Sequence, residues 1–198
     1  MSPMEDPPRA VPAANASLIE LAQRGDRDAF TQLFQRYHVQ ICTYLGRLVE
    51  NDEIGCDLAQ DTFLRAWQEL PQLRDTLSFE AWLYRIATNL AYSNLRRERR
   101  VRWLPWLEHS SEEATPSGLM LDGPEEQIGK HECMRSALAQ VSPQNRTCLL
   151  LQVVAGFSQS EISAILGITQ KCVSAYVSRG REQFRVAYQR FSEEGAKR

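Results

Sequence analysis

The chain has 198 residues, a formal net charge of −2 and 43% hydrophobic residues. This length suits one domain of moderate size or two small ones, and the hydrophobic content is sufficient for a buried core. No apolar run approaches the roughly 18 residues needed to cross a bilayer, which argues against membrane insertion. Five scattered cysteines without a C-x-x-C pair favour a reduced, cytoplasmic location.

The N-terminal part of the sequence divides into a tail and a helical domain. Residues 1–16 are rich in Pro and Ala and lack the apolar core of a signal peptide, so we predict a disordered tail. Residues 17–102 show helical periodicity with breaks at Gly25, near Asn51 and at Pro71. This pattern predicts a first helical domain of about four helices.

Two of these predicted helices carry polar residues opposite their apolar stripes. In the third helix, Asp57, Gln60 and Asp61 share one face. In the fourth, Asn89 and Tyr92 lie on one face among arginines, which suits a surface that holds a nucleic acid strand and stacks its bases. An ordinary solvated helix face with one exposed tyrosine is the alternative interpretation.

The small net charge conceals two basic segments separated by an acidic one. Residues 96–102 hold five Arg and one Glu, and residues 171–190 hold one Lys and four Arg against a single Glu. Residues 103–129 contain no Lys or Arg, but several acids with Pro, Gly and Ser. The two basic segments indicate phosphate binding. The acidic segment is predicted to be a flexible linker.

After this linker, residues 130–190 form a second predicted helical domain, followed by a short tail at 191–198. In FSQSEISAILGITQKCVSAYVSRGREQFR, Ser158 and Glu161 fit a capping box, and Gly167 fits the left-handed residue of a turn. Apolar residues then recur on the inner face of the following helix. This pattern is typical of a DNA-binding helix-turn-helix, although a plain helical hairpin in a bundle shares it.

Taken in order, these segments resemble the extracytoplasmic-function sigma factors, the small two-domain bacterial initiation factors. DLAQDTFLRAW resembles their region 2.2, SFEAWLYRIATNLAYSNLRRERR their regions 2.3 and 2.4, and the helix-turn-helix their region 4.2. The resemblance implies an all-α fold, with two small helical domains joined by a flexible acidic linker. It also implies an alternative sigma factor that binds core RNA polymerase and directs promoter recognition, strand opening and transcription initiation.

The resemblance assigns roles to individual positions. The polymerase-binding positions are Asp57, Gln60 and Asp61. The DNA-binding positions of region 2 are Asn89, Tyr92, Arg96, Arg97, Arg99 and Arg100. The DNA-binding positions of region 4 are Gln170, Lys171, Ser174, Ala175, Ser178, Arg179 and Arg181. The implied partners are the clamp and flap of core polymerase, promoter DNA and an anti-sigma factor, with no cofactor.

Two other classes of protein fit parts of the sequence. A helix-turn-helix regulator that never engages polymerase would have no reason to expose the Asp57, Gln60 and Asp61 face. An interaction protein that sequesters an anti-sigma factor would leave the Arg-rich run without a role. An enzyme fits worst, because no catalytic constellation or Gly-rich loop stands out. His38 and Cys42 lie one helical turn apart, but two ligands make no closed zinc site.

Overall fold

The structure is a computed structural model that describes residues 13–73, 78–101 and 125–195. Over these ranges it has eight α-helices, one short 3-10 turn and no strand, which confirms the predicted all-α fold. None of the described helices is both long and apolar enough to span a membrane. The helices are α1 (Ala13–Gln23), α2 (Arg27–Val49), α3 (Asp52–Glu69), α4 (Phe79–Val101), α5 (Glu125–Ala139), α6 (Pro143–Val153), α7 (Gln159–Leu166) and α8 (Gln170–Gly195).

Three helix boundaries differ from the prediction. Helix α1 begins at Ala13, inside the predicted disordered tail, where the buried Asn15 amide donates to the Tyr37 hydroxyl at 2.8 Å. Helix α5 begins at Glu125, inside the predicted linker, and α8 continues to Gly195, inside the predicted C-terminal tail. Helices α5 and α8 pack against each other. Most of the predicted linker lies outside the described residues.

The N-terminal half of the structure, α1–α4, has its core along α2. The apolar stripe of α2 faces this core, because Leu33, Ile41 and Leu45 are fully buried. At the start of this helix, the Asp26 carboxylate accepts the backbone N–H of Asp28 at 2.9 Å. This bond satisfies a donor that the first turn of a helix leaves unpaired.

The backbones of helices α2 and α3 lie close together at two glycines. A Cβ atom added to Gly55 of α3 would lie 2.4 Å from the backbone nitrogen of Gly46 in α2. This distance is far below a normal van der Waals contact. The two backbones can therefore approach this closely only because Gly55 has no side chain, and the crossing fixes the position of α3 on the core.

The C-terminal half, α5–α8, contains the predicted helix-turn-helix in α7 and α8. The Ser158 hydroxyl accepts the Glu161 backbone N–H at 3.2 Å, and the Glu161 carboxylate accepts the Ser158 backbone N–H at 2.8 Å. This reciprocal pair is the predicted capping box. Gly167 ends α7 with a φ of 65°, which turns the chain into α8. Val173 and Val177 of α8 are buried against the rest of the half.

The two halves also pack against each other, with α6 against α2 and α7 against α4. Tyr84 of α4 and Phe157, which precedes α7, are both buried, with ring centroids 5.1 Å apart. Arg146 of α6 is only 3% exposed, and its guanidinium donates to the Leu48 backbone carbonyl of α2 at 3.1 Å. The apolar core is continuous across both halves. The sequence patterns predicted two helical domains joined by a flexible linker. They did not indicate that the two halves pack against each other.

Candidate nucleic-acid interface

The predicted polymerase-binding residues lie together on the outer face of α3. Asp57, Gln60 and Asp61 are all exposed, while Phe63 of the same helix is buried. Leu64 continues this face and is 63% exposed. Leu64 was not predicted as part of this face. It follows Asp61, Gln60 and Asp57 by three, four and seven residues, a spacing that places it on the same side of a helix. The face therefore combines carboxylates and an amide with one exposed apolar side chain.

Only part of the predicted DNA-binding face of α4 is exposed to solvent. Asn89, Arg96 and Arg97 are exposed, and the Arg96 Nε donates to the backbone carbonyl of its own helix one turn earlier at 3.2 Å. The side chains of Arg99 and Arg100 lie outside what the structure describes. The exposed residues present an amide and two positive charges to solvent, which suits contact with a phosphate backbone.

Tyr92, predicted on the same face, is engaged by the other half of the chain. It is half-buried, and its hydroxyl lies 2.8 Å from Thr147 Oγ1 of α6. Burial raises the pKa of Tyr92, and the hydrogen bond to Thr147 opposes this rise in part. The structure thus separates Tyr92 from its exposed neighbour Asn89, because Tyr92 lies in the contact between the halves.

The predicted reading residues lie at the start of α8. Thr169 precedes this helix, and its Oγ1 accepts the Cys172 backbone N–H at 3.3 Å. This cap fixes where the helix begins. The exposed side chains near the start of α8 are Gln170, Lys171, Ser174 and Ser178, and Ala175 is half-buried.

Two predicted arginines further along α8 are exposed but have partners within the chain. The Arg179 guanidinium lies 5.8 Å from the centre of the Tyr176 ring, within the range of a cation–π contact. The Arg181 guanidinium donates to the Gln152 side chain of α6 at 3.2 Å. These contacts orient both positive charges on the surface of the C-terminal half.

The His38 and Cys42 pair has no further ligand within the described residues. The Cys42 Sγ lies 3.5 Å from the His38 Nε2. No group of three or more His, Cys, Asp or Glu side chains in the described ranges could hold a metal ion. Burial, with a smaller contribution from neighbouring Cys56, raises the pKa of Cys42 to about 12. A thiol with this pKa stays protonated at neutral pH and behaves as a packing group.

Known protein families match both halves of the chain. The chain matches Sigma-70 region 2 over residues 33–101 and Sigma-70, region 4 over residues 131–184. It is 32% identical to the RNA polymerase sigma factor CarQ of Myxococcus xanthus, over 84% of this chain and 93% of that protein. It is 30% identical to the ECF RNA polymerase sigma factor SigW of Bacillus subtilis, over 84% of this chain and 92% of that protein. The chain belongs to the extracytoplasmic-function sigma factors.

The fold of this sigma factor is also similar to a solved relative. The sigma factor RpoE from Bartonella quintana, solved with the anti-sigma factor NepR, superposes with a TM-score of 0.63 at 23% identity. The match covers 81% of this chain and 96% of that chain. With both sigma regions present in order, the protein is an alternative sigma factor that directs transcription initiation.

Proposed function

We propose that this sigma factor binds the clamp of core RNA polymerase through the outer face of α3 and contacts promoter DNA through α4 and the start of α8. The observation that carries the proposal is the exposure of polar residues at the start of α8 above a buried apolar stripe. In a helix-turn-helix, the N-terminal residues of the second helix are those that reach base edges in the major groove.

The α3 face has the composition expected of a polymerase contact. Asp57 and Asp61 supply negative charge for a basic partner, and Gln60 supplies both a donor and an acceptor. Leu64 adds apolar area that is costly to leave in water and is covered when a partner binds. In this proposal, the surface of the C-terminal half contacts the polymerase flap. We extend the proposal to an anti-sigma factor, since the RpoE relative was solved with one.

Transcription in vitro tests this function directly. The protein, mixed with bacterial core RNA polymerase, should yield transcripts from a subset of candidate promoter fragments, while core polymerase alone should yield none. Binding to core without any promoter-dependent transcript would contradict the proposed promoter contacts. Failure to bind core would contradict the proposed polymerase face.

Replacing Asp57, Gln60 and Asp61 together with Ala should weaken binding to core polymerase roughly ten- to a hundredfold, or about 1.4–2.8 kcal/mol, the loss expected if one of the three is a dominant contact of the interface. Helicity by circular dichroism should not change, since all three side chains are exposed. The matched control replaces three exposed glutamines of α2 with Ala. These control positions are Gln32, Gln35 and Gln40. Equal affinities for the two triple variants in a pull-down titration would remove the α3 face from the proposal.

The two DNA-contacting surfaces should differ in what they recognise. Arg97 belongs to a dense run of positive charge, so Arg97→Ala should weaken binding to all promoters alike and flatten the slope of log affinity against log salt by about one unit. Lys171 lies where base edges come within reach, so Lys171→Ala should change the ranking of upstream elements, by roughly 1–3 kcal/mol if a base contact is lost. Binding to a randomised upstream element at two salt concentrations distinguishes these outcomes. Re-ranking by Arg97→Ala together with a uniform loss for Lys171→Ala would reverse the two roles.

A further inference from the structure

A serine of α7 is hydrogen-bonded to the turn that leads into α8. The Ser163 hydroxyl donates to the Ile168 backbone carbonyl at 2.6 Å, and the Ile168 backbone N–H donates to the Ser163 carbonyl at 3.2 Å. The Gly167 backbone N–H also donates to the Ser163 carbonyl. The two backbone bonds are of the kind that ends a helix at a left-handed glycine. The bond from the hydroxyl is different, because it depends on the side chain at position 163.

The hydroxyl bond acts on the peptide group that joins Ile168 to Thr169. This group is planar, so a bond that holds its carbonyl also orients the start of the next residue. Thr169 caps α8, since its hydroxyl accepts the Cys172 backbone N–H at 3.3 Å and its carbonyl accepts the Val173 backbone N–H at 3.1 Å. Ser163 is therefore connected to the first turn of α8 through one rigid peptide group and one capping residue.

The first turn of α8 has little support from burial. Residues 169–172 are all exposed, and Val173 is the first buried residue of the helix. Hydrogen bonds rather than apolar packing therefore hold this turn, and the end turns of helices fray when such bonds are lost. Gln170 and Lys171, the first two of the proposed reading residues, lie in this turn. Their arrangement depends on how well the turn is ordered.

The serine at position 163 is not explained by the needs of α7 itself. Alanine favours a helix more than serine does, and it is equally small. Ser163 is half-buried, and its hydroxyl has a short bond to a carbonyl outside its own helix. The side chain thus costs α7 some helix propensity and supplies a bond to the turn in return.

We propose that Ser163 is a positioning residue for promoter reading: its hydroxyl orders the first turn of α8, so that Gln170 and Lys171 meet the DNA in one arrangement. This inference rests on the proposed contact between the start of α8 and promoter DNA. Ser163 acts through the turn and not through a DNA contact of its own. A reading side chain that is already ordered loses less conformational freedom on binding, so its contact contributes more to affinity and discrimination.

Amide hydrogen exchange of the full chain tests the ordering without DNA or polymerase. In Ser163→Ala, the amides of Cys172 and Val173 should exchange roughly two- to tenfold faster, the range expected for loss of one hydrogen bond. The amide of Val177, in the packed part of α8, should not change. Ser160→Ala is the matched control, because Ser160 is an exposed serine of the same helix. Unchanged exchange at the first turn in Ser163→Ala would overturn the proposal.

Binding to duplex DNA with a randomised upstream element tests the effect on reading. Ser163→Ala should reduce the preference among elements roughly two- to tenfold. It should leave the slope of log affinity against log salt unchanged, because no phosphate contact is lost. In a background of Gln170→Ala with Lys171→Ala, adding Ser163→Ala should cause no further loss. In a Ser178→Ala background the two losses should multiply, since Ser178 lies about two turns further along α8.

The outcomes of the binding series separate this inference from the proposed function. A wild type that binds all upstream elements alike would overturn the proposed reading role of α8 together with this inference. Full discrimination by Ser163→Ala, beside a wild type that discriminates, would overturn the inference alone. So would an equal loss from Ser163→Ala in the wild type and in the Gln170→Ala with Lys171→Ala background, because Ser163 would then not act through these two residues.

Discussion

The Gly55→Ala variant is expected to lose about 3 kcal/mol or more of unfolding free energy, because the added methyl group overpacks a contact between two backbones. The new Cβ would lie 2.4 Å from the Gly46 nitrogen and 2.5 Å from the Gly46 Cα. Neither atom belongs to a side chain that can rotate away, so α2 and α3 must separate. The gain in helix propensity from Gly to Ala, about 1 kcal/mol, offsets only part of this loss. Urea unfolding followed by circular dichroism measures the difference.

Gly46→Ala is the matched control at the same helix crossing. Its Cβ would lie 2.6 Å from a carboxylate oxygen of Asp52, which a side-chain rotation can move, and 3.2 Å from the Asp52 Cα. We therefore expect Gly46→Ala to lose less unfolding free energy than Gly55→Ala. The Gly55→Ala variant should also bind core polymerase more weakly, because α3 carries the proposed polymerase face. Equal stability losses for the two variants would show that the asymmetry of the crossing has no energetic consequence.

Features that depend on nearby residues could be predicted from the sequence. The apolar stripe of α2 follows from a period of 3.6 residues, and the capping box of Ser158 and Glu161 follows from a spacing of three. The left-handed Gly167 follows from its position after the last periodic residue of α7. Exposure of Asp57 and Lys171 follows from the same periodicities. These signals lie within one helix or one turn, and they were sufficient for the fold and for most of the candidate surfaces.

Features that depend on distant partners could not be predicted. Arg146 lies among polar residues at the start of α6, between Asn145 and Thr147, and its partners Leu48 and Glu50 are 98 and 96 residues away. A basic residue in such a segment is ordinarily predicted to face water, since burial of a charge requires several hydrogen bonds. Tyr92 was predicted to bind DNA from its helix face and from the family resemblance, and nothing near it in the sequence indicates the bond to Thr147. The bonds between the two halves therefore required the tertiary structure.

Arg146→Met should lower the free energy of unfolding by about 3 kcal/mol, a value typical of removing one partner from a buried charged network. The terminal nitrogens of Arg146 donate to the Leu48, Ala139 and Val141 backbone carbonyls and to the Glu50 carboxylate. Methionine replaces the aliphatic stem of the arginine but has no donor, so the three carbonyls lose their charged partner in a buried site. The Glu50 side chain is 45% exposed, and water can replace that bond at lower cost.

Arg146→Lys tests whether the geometry of these hydrogen bonds stabilises the fold beyond the effect of the positive charge. A lysine keeps the positive charge but has three donors on one atom, whereas the guanidinium places four terminal N–H groups in a fixed plane. It should therefore lose about half as much stability as Arg146→Met in urea unfolding. Arg185→Met, which removes an exposed ion pair, should cost less than about 1 kcal/mol. A stability loss in Arg146→Met no larger than in Arg185→Met would mean that water or neighbouring groups satisfy the carbonyls. Because the Ala139 and Val141 carbonyls belong to the C-terminal half, Arg146 stabilises that half as well as its contact with Leu48 and Glu50, and its loss should loosen both.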